Sequence, residues 1–225
     1  MKIELTPTDD GSPTLYLPAL DEHYHSTKGA VTESRHVYLQ SGLIHRLTAT
    51  QKSQKELRIL EIGFGTGLNA ALTAEVCRSS NRPIRYISLE KNPLDEAIVS
   101  QLDFGPDIDR SVFNTIHSSP WNTPVEILPG LTLEKRTDDF LHDLLPSDID
   151  VVFMDAFGPD KQPEMWTTEA LGRLVNTMAP GAVLTTYSAK GVIRRTFKAL
   201  GLTVERLPGP PGGKREILRA TKALS

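Results

Sequence analysis

Acidic side chains at the ends of apolar runs, close to glycines, are the residues of this chain best placed to do chemistry. Glu61 lies in the run Leu57–Ile62, and Gly63, Gly65 and Gly67 follow directly. Glu90 closes a second run, Ile84–Leu89, and Asp155 follows a third, Asp150–Met154. Glycine has no Cβ, so a glycine loop lets backbone N–H groups come close to a ligand. A carboxylate that ends an apolar strand sits at the carboxyl edge of a sheet, where α/β sheets bind ligands. The expectation is a nucleotide-like ligand on the loop, with a charge-stabilising or proton-accepting group beside it.

The spacing narrows the ligand. Gly63-x-Gly65-x-Gly67 differs from the Gly-x-Gly-x-x-Gly of dinucleotide folds. Glu61 would repel a pyrophosphate but could meet the positive α-amino group of a methionine moiety, usually through a water. Glu90, with Lys91 beside it, could accept ribose hydroxyls, a feature shared with nicotinamide enzymes. S-adenosylmethionine (AdoMet) has an amino group and a ribose and lacks a pyrophosphate, so it suits these residues. Asp138 and Asp139 follow a further strand, and either could accept the adenine amine or cap a helix over Asp139–Leu145. A carboxylate such as Asp155 beside a methyl donor suits an amine acceptor. It can align the amine, take its proton, and stabilise the positive charge that grows during attack. Phe157 could stack on a base or on adenine, or pack in the core.

These residues meet only if strands and helices alternate, and the pattern does. Strands are expected at Leu57–Ile62, Ile84–Leu89, Leu131–Lys135, Asp150–Met154 and Ala182–Tyr187, with a terminal antiparallel pair from Leu202–Leu207 and Glu216–Ala220. Helices are expected at Gly67–Ser79, Pro93–Leu102, Asp138–Leu145, Glu164–Met178 and Gly191–Leu200. Phe104–Pro129, with its four prolines, reads as an insertion or long loop. Before the loop, an extended piece around Leu15–Leu17 and a helix near Ser34–Ala49 are expected. The expected fold class is α/β: a Rossmann-like class I AdoMet-dependent methyltransferase, with a mostly parallel seven-stranded sheet and helices on both faces. Residues 1–56 would be a small N-terminal extension packing on the cofactor site, and 57–225 the methyltransferase domain.

Composition sets outer limits. Of 225 residues, 39% are hydrophobic and 24% charged, which permits a buried core. The net charge of −3 argues against a wholesale polyanion binder, so a nucleic acid would have to meet a local basic patch. One cysteine, Cys77, excludes a disulfide framework. No secretory signal and no apolar run of membrane-spanning length is visible, so a cytoplasmic location is expected. His23 and His25 have no partners at ligand spacing, and no metal is expected.

The run Asp155-Ala156-Phe157-Gly158-Pro159-Asp160-Lys161-Gln162-Pro163-Glu164-Met165-Trp166 resembles the "D-x-F-x-P-x-K-N-P-x-M-W" signature of MnmC-type tRNA methyltransferases, with Gln162 in place of the usual Asn. Glu61–Asn69 is similar to that family's "E-x-G-F-G-T-G-L-N", and Gly29–Leu39 to its "G-x-x-E-[ST]-x-x-V-F". Tyr187–Arg195 and Gly209–Arg219 resemble its "A-x-x-V-R-R" and "G-x-K-R-E-M-L". The resemblance implies methyl transfer from AdoMet to the amine of 5-aminomethyl(-2-thio)uridine at the tRNA wobble position. It implies cofactor or catalytic roles for Glu33, Gly63, Gly65, Asn69, Glu90, Asp138 and Asp155. No flavin oxidase stretch is read in the chain, so it resembles the stand-alone methyltransferase form, with another enzyme supplying the aminomethyl group.

For tRNA, Lys190, Arg194, Arg195 and Lys198 lie at near-helical spacing, and Lys214 and Arg215 follow a Gly/Pro-rich turn. They could contact phosphates or form a solvated face. Lys28, Arg35 and His36 could join them. His23, Tyr24 and His25 could line the mouth of the site, and Trp166 reads as a packing anchor. Three other readings remain at this point. They are a methyltransferase for a small molecule or protein, a nicotinamide-dependent oxidoreductase, and a binding module without activity.

Overall fold

The computed structural model describes residues 2–51, 53–80 and 82–224. Met1 and Ser225, the outer ends of the two expected domains, lie outside the described residues. Five parallel strands form the centre of the main sheet: β4 (Leu57–Ile62), β5 (Ile84–Leu89), β7 (Leu131–Arg136), β8 (Ile149–Met154) and β9 (Met178–Thr186). β10 (Thr203–Pro208) and β11 (Glu216–Thr221) extend one edge antiparallel, and β6 (Val125–Leu128) extends the other. The order is β10-β11-β9-β8-β4-β5-β7-β6. β8 is buried along its whole length, as expected of a strand covered on both faces.

The sheet therefore has eight strands, not seven. The extra strand lies in the stretch Phe104–Pro129, read above as a loop. That stretch holds helix α5 (Arg110–Ser118) and strand β6. Asp109 caps α5 by accepting from the N–H groups of Ser111 and Val112. The Pro129-Gly130 turn, with Gly130 at φ 86°, folds β6 back onto β7. The prolines mark the ends of these short elements and do not prevent them.

Other boundaries move for local reasons. The helix expected over Pro93–Leu102 shrinks to α4 (Glu96–Val99). No helix forms over Asp138–Leu145. There the Asp139 backbone N–H donates to Asp143, Asp139 accepts from the Leu141 N–H, and Arg136 donates to Asp138 and to the Leu144 carbonyl. Side chains that satisfy the backbone locally favour turns over a helix. The helix expected over Glu164–Met178 splits into a 3₁₀ turn, Pro163–Trp166, and α6 (Thr168–Thr177), because Thr167 caps α6 through the Ala170 N–H. Pro180 and Gly181 lie within β9, where the register against β8 shifts. Helices α3 (Leu68–Ser79) and α7 (Gly191–Ala199) stand as expected.

Ahead of the sheet, β1 (Glu4–Pro7), β2 (Pro13–Leu17) and β3 (Glu22–His23) form a three-stranded antiparallel sheet. A continuous helix follows: α1 (Ala30–Ser34), a π-helical stretch (Arg35–Ile44) and α2 (His45–Ala49). π geometry is rare and often found at functional sites. Here the wide turns bring Gly42 against Phe153 and Thr185, where a Cβ would lie 3.0–3.3 Å from their side chains. The close approach carries Tyr38 down to the sheet edge. Among the described residues, no helix is long and apolar enough to cross a membrane.

Candidate active site

The loop after β4 is built from glycines with positive φ: Gly63 at 93°, Gly65 at 49° and Gly67 at 72°. A Cβ at Gly63 would lie 2.9 Å from the Asp155 carbonyl oxygen, so this glycine allows two sheet-edge loops to touch. A cavity of about 630 Å³ opens over them, within the range of small-molecule sites. Among its lining residues are Gly63, Gly65, Asn69, Glu90, Lys91, Asp138, Asp139, Asp155 and Phe157. Nine of the residues singled out from the sequence are thus brought to one place. Leu17, Leu20, Tyr24 and His25 close it from the N-terminal side.

Three of the cofactor candidates stand elsewhere. Glu61 is buried behind the wall, taking hydrogen bonds from Asn69 at 3.0 Å and Ser88 at 2.6 Å. Burial pushes its carboxyl up to about 7. Gly67 is also outside the lining, and a Cβ there would meet His117 at 2.8 Å and Phe64 at 2.9 Å. Glu33 lines a second cavity of about 700 Å³, together with Lys190, Lys214 and Arg215. Burial raises its carboxyl above the usual range, against a hydrogen bond from the Ser26 N–H at 2.8 Å. Tyr24 and His25 line both cavities, and His23 lines the second. Arg194 and Arg195 lie on α7 outside both cavities.

Asp155 is held by two side-chain donors. Tyr38 donates its O–H to it at 2.5 Å and Asn69 its amide at 2.8 Å. Desolvation, with Glu61 and Glu33 near, holds its carboxyl well above the ordinary carboxylate range, against those two hydrogen bonds. The Asn69 amide nitrogen bridges Glu61 and Asp155, while its buried oxygen has no hydrogen-bond partner. Glu90 accepts the N–H groups of Gly65 and Asn92, and burial raises its carboxyl too. Lys91 pairs with Asp139 at 2.7 Å and Arg136 with Asp138. Phe157 meets Tyr24 edge-on with centroids 5.2 Å apart, and its carbonyl takes the Trp166 indole N–H, which confirms Trp166 as a packing anchor.

These residues fit AdoMet. The glycine cradle leaves room for a ligand against the backbone, and the Asn69 oxygen lacks the donor that an ammonium would supply. The wall has six carboxylates, Glu90, Asp95, Asp138, Asp139, Asp155 and Glu164, and Lys91 beside them. That balance suits a cationic ligand with hydroxyls and disfavours a pyrophosphate.

Tyr38, His117 and Lys135 carry weight that sequence reading missed. His25 Nε2 lies 2.7 Å from the Thr66 hydroxyl and His117 Nε2 3.1 Å from the Thr66 carbonyl, so two histidines brace the loop. Lys135 is buried, with its ammonium 4.9 Å from the Trp121 centroid and 3.0 Å from the His117 carbonyl. Desolvation draws it down to about 8. A lysine or tyrosine inside an alternating run carries no mark of such a role.

His25 has a measurable consequence. Burial pushes it down to about 4 from an ordinary 6.5. Between those values the unfolded chain binds a proton that the folded chain does not, so stability is lost as pH falls through that window. Glu61 acts in the opposite sense, with its contribution present below its ordinary 4.5 and lost as pH rises towards 7. Comparing wild type with His25→Asn cancels Glu61. The wild-type unfolding free energy should fall more steeply from pH 6.5 to 4, by up to about 1.4 kcal/mol per pH unit. Equal slopes in calorimetry would refute the assignment.

A family profile described as S-adenosyl-L-methionine-dependent methyltransferase matches residues 136–223. The bifunctional protein MnmC of Pseudomonas savastanoi pv. phaseolicola, named for tRNA 5-methylaminomethyl-2-thiouridine biosynthesis, is 32% identical over 210 residues. The match covers 88% of this chain and 32% of that protein. The chain thus spans about a third of the length of such relatives. The crystal structure of MnmC2 from Aquifex aeolicus superposes with a TM-score of 0.82 at 27% identity, over 100% of this chain and 71% of that one. Spermidine synthase from Thermotoga maritima, at 11% identity, TM-score 0.60, and coverage of 99% and 70%, shares the fold. The glycine cradle, the carboxylate-lined cavity and these likenesses agree: the chain has the Rossmann-like fold of AdoMet-dependent methyltransferases and is similar to MnmC proteins along most of its length.

Proposed function

We propose that this chain transfers the methyl group of AdoMet to the amine of 5-aminomethyl(-2-thio)uridine at the wobble position of tRNA, giving 5-methylaminomethyl(-2-thio)uridine. The observation that carries this reading is Asp155, held by Tyr38 and Asn69 at the cavity edge where an amine would arrive. When bound, AdoMet supplies an electrophilic methyl group on a sulfonium. Gly63, Gly65, Asn69, Glu90, Lys91, Asp138 and Asp139 hold it, with Glu61 orienting Asn69 from behind. Asp155 aligns the acceptor amine and takes its proton, and its raised affinity for protons suits that task. Phe157 gives an aromatic face beside Asp155 for a base.

In this reading residues 1–56 form an extension over the cofactor site and 57–225 the methyltransferase domain, working in the cytoplasm. A separate enzyme makes the aminomethyl group. The tRNA backbone meets Lys190, Arg194, Arg195 and Arg215. Lys190 already pairs with Asp160, so Arg194 and Arg195 are the better phosphate contacts. The double variant Arg194→Ala/Arg195→Ala should raise the tRNA KM several-fold, with kcat nearly unchanged. An unmoved KM in steady-state assays removes the patch.

The direct test incubates the protein with AdoMet and tRNA from cells lacking this methylation, followed by mass spectrometry of the nucleosides. A gain of one methyl on the aminomethyl uridine is expected. Methylation of free amines with tRNA left untouched would point to a small-molecule enzyme instead.

A further inference from the structure

Lys214 ends the Gly/Pro-rich turn between β10 and β11, and its ammonium lies 3.6 Å from the centroid of the Tyr187 ring. Tyr187 donates its O–H to the Ala156 carbonyl at 2.9 Å, one residue beyond Asp155. Lys214, Tyr187 and Glu33 line the second cavity, separated from the cofactor cavity by Tyr24 and His25. A cation is therefore built into the approach to Asp155. The burial of its ammonium pulls it below the usual lysine range, and Glu33, Glu22 and Asp155 oppose that.

An alkyl amine is protonated near neutral pH and then has no lone pair for attack. Asp155 and Glu33 both favour the ammonium form. A fixed cation in the adjoining cavity, on the aromatic ring bonded to the residue after Asp155, favours the neutral amine. The other charged or titratable groups around this chamber are Glu22, His23 and His25 from the N-terminal sheet and the chain after it, Asp160 and Lys161 beyond β8, Lys190 beyond β9, and Arg215 and Glu216 beside Lys214 itself. Lys190 is taken by Asp160, and Lys161 donates to the carbonyls of Leu20 and Asp21. Lys214 is the cation held against the aromatic wall next to Asp155.

Resting on the amine-methyltransferase reading, we propose that Lys214 is a positioning residue that keeps the acceptor amine neutral and nucleophilic in front of Asp155. The amine N–H⁺ bond breaks, its proton passes to the Asp155 carboxylate, and the electron pair stays on nitrogen. No further reactant is needed.

The test compares the full-length wild type, Lys214→Met and Lys214→Arg on tRNA bearing the aminomethyl uridine, with kcat/KM measured from pH 6 to 10. In Lys214→Met the acidic limb should move up by about one pH unit, roughly tenfold lower on the limb. Its KM should not rise, and its AdoMet affinity and melting temperature should match wild type. Lys214→Arg should restore the limb. Without AdoMet, in filter binding at pH 7, Lys214→Met should bind aminomethylated tRNA several-fold more tightly than wild type does, with no gain for unmodified tRNA. A limb shared by Lys214→Met and wild type, or an arginine variant as impaired as the methionine one, overturns the inference alone. A wild-type protein that methylates no amine overturns both the function and the inference.

Discussion

Asp155→Ala should abolish methyl transfer while AdoMet still binds. The carboxylate at the cavity edge accepts from two side chains, Tyr38 and Asn69, and it still has capacity to accept an amine proton. General-base action contributes ~10²–10⁴-fold, and a preorganised charge opposite a developing cation adds to that. A fall of at least ~10³-fold in single-turnover rate is therefore expected. Cofactor affinity, by titration calorimetry, should change little, because Glu90 and the glycine loop contact the cavity independently of Asp155. Asp155→Asn keeps the shape and the Tyr38 bond but not the charge, and should be nearly as inactive. An alanine variant within tenfold of wild type would sink the catalytic assignment.

Gly63→Ala should cost the protein its cofactor. The added methyl would stand 2.9 Å from a backbone oxygen, that of Asp155, and backbone cannot rotate aside as a side chain can. With φ at 93° the alanine is strained as well. To relieve the clash, the β4 and β8 edges must part, moving Gly65 and Asp155 together. The expected loss in AdoMet affinity is ~30-fold or more, since a shift at preorganised contacts is felt by all of them at once. Gly105→Ala is the control: its φ is 65°, yet nothing lies within 4 Å of the new Cβ. It should pay only the backbone strain, about 1–2 kcal/mol, and bind AdoMet normally. Calorimetric affinities of the two variants within threefold of each other would show that the cradle tolerates a side chain.

Much of this could be read locally. β4, β5, β8 and α3 fall within a residue of their expected bounds, because a continuous apolar run bounded by glycine or a charge has few other solutions. The misreadings share a cause. At Asp138–Leu145 and Thr167, polar side chains bind the backbone nearby, and whether they cap, break or replace a helix depends on geometry that composition does not state. At Val125–Leu128 a four-residue strand with one partner is too short for periodicity to declare.

The glycine loop, Glu90, Asp138 and Asp155 were determined along the chain, because a sheet edge collects whatever ends its strands. Their ligand followed from spacing and charge. The tertiary structure alone decided who stands behind them and who faces them. It set Glu61 behind Asn69, brought Tyr38 from a π-helical turn onto Asp155, and placed Glu33 and Lys214 across a second cavity. Tyr38 and Asp155 are 117 residues apart and Glu33 and Lys214 farther still, and the coupling of all these groups arises from burial, which raises or lowers each proton affinity through neighbours that no local pattern can name.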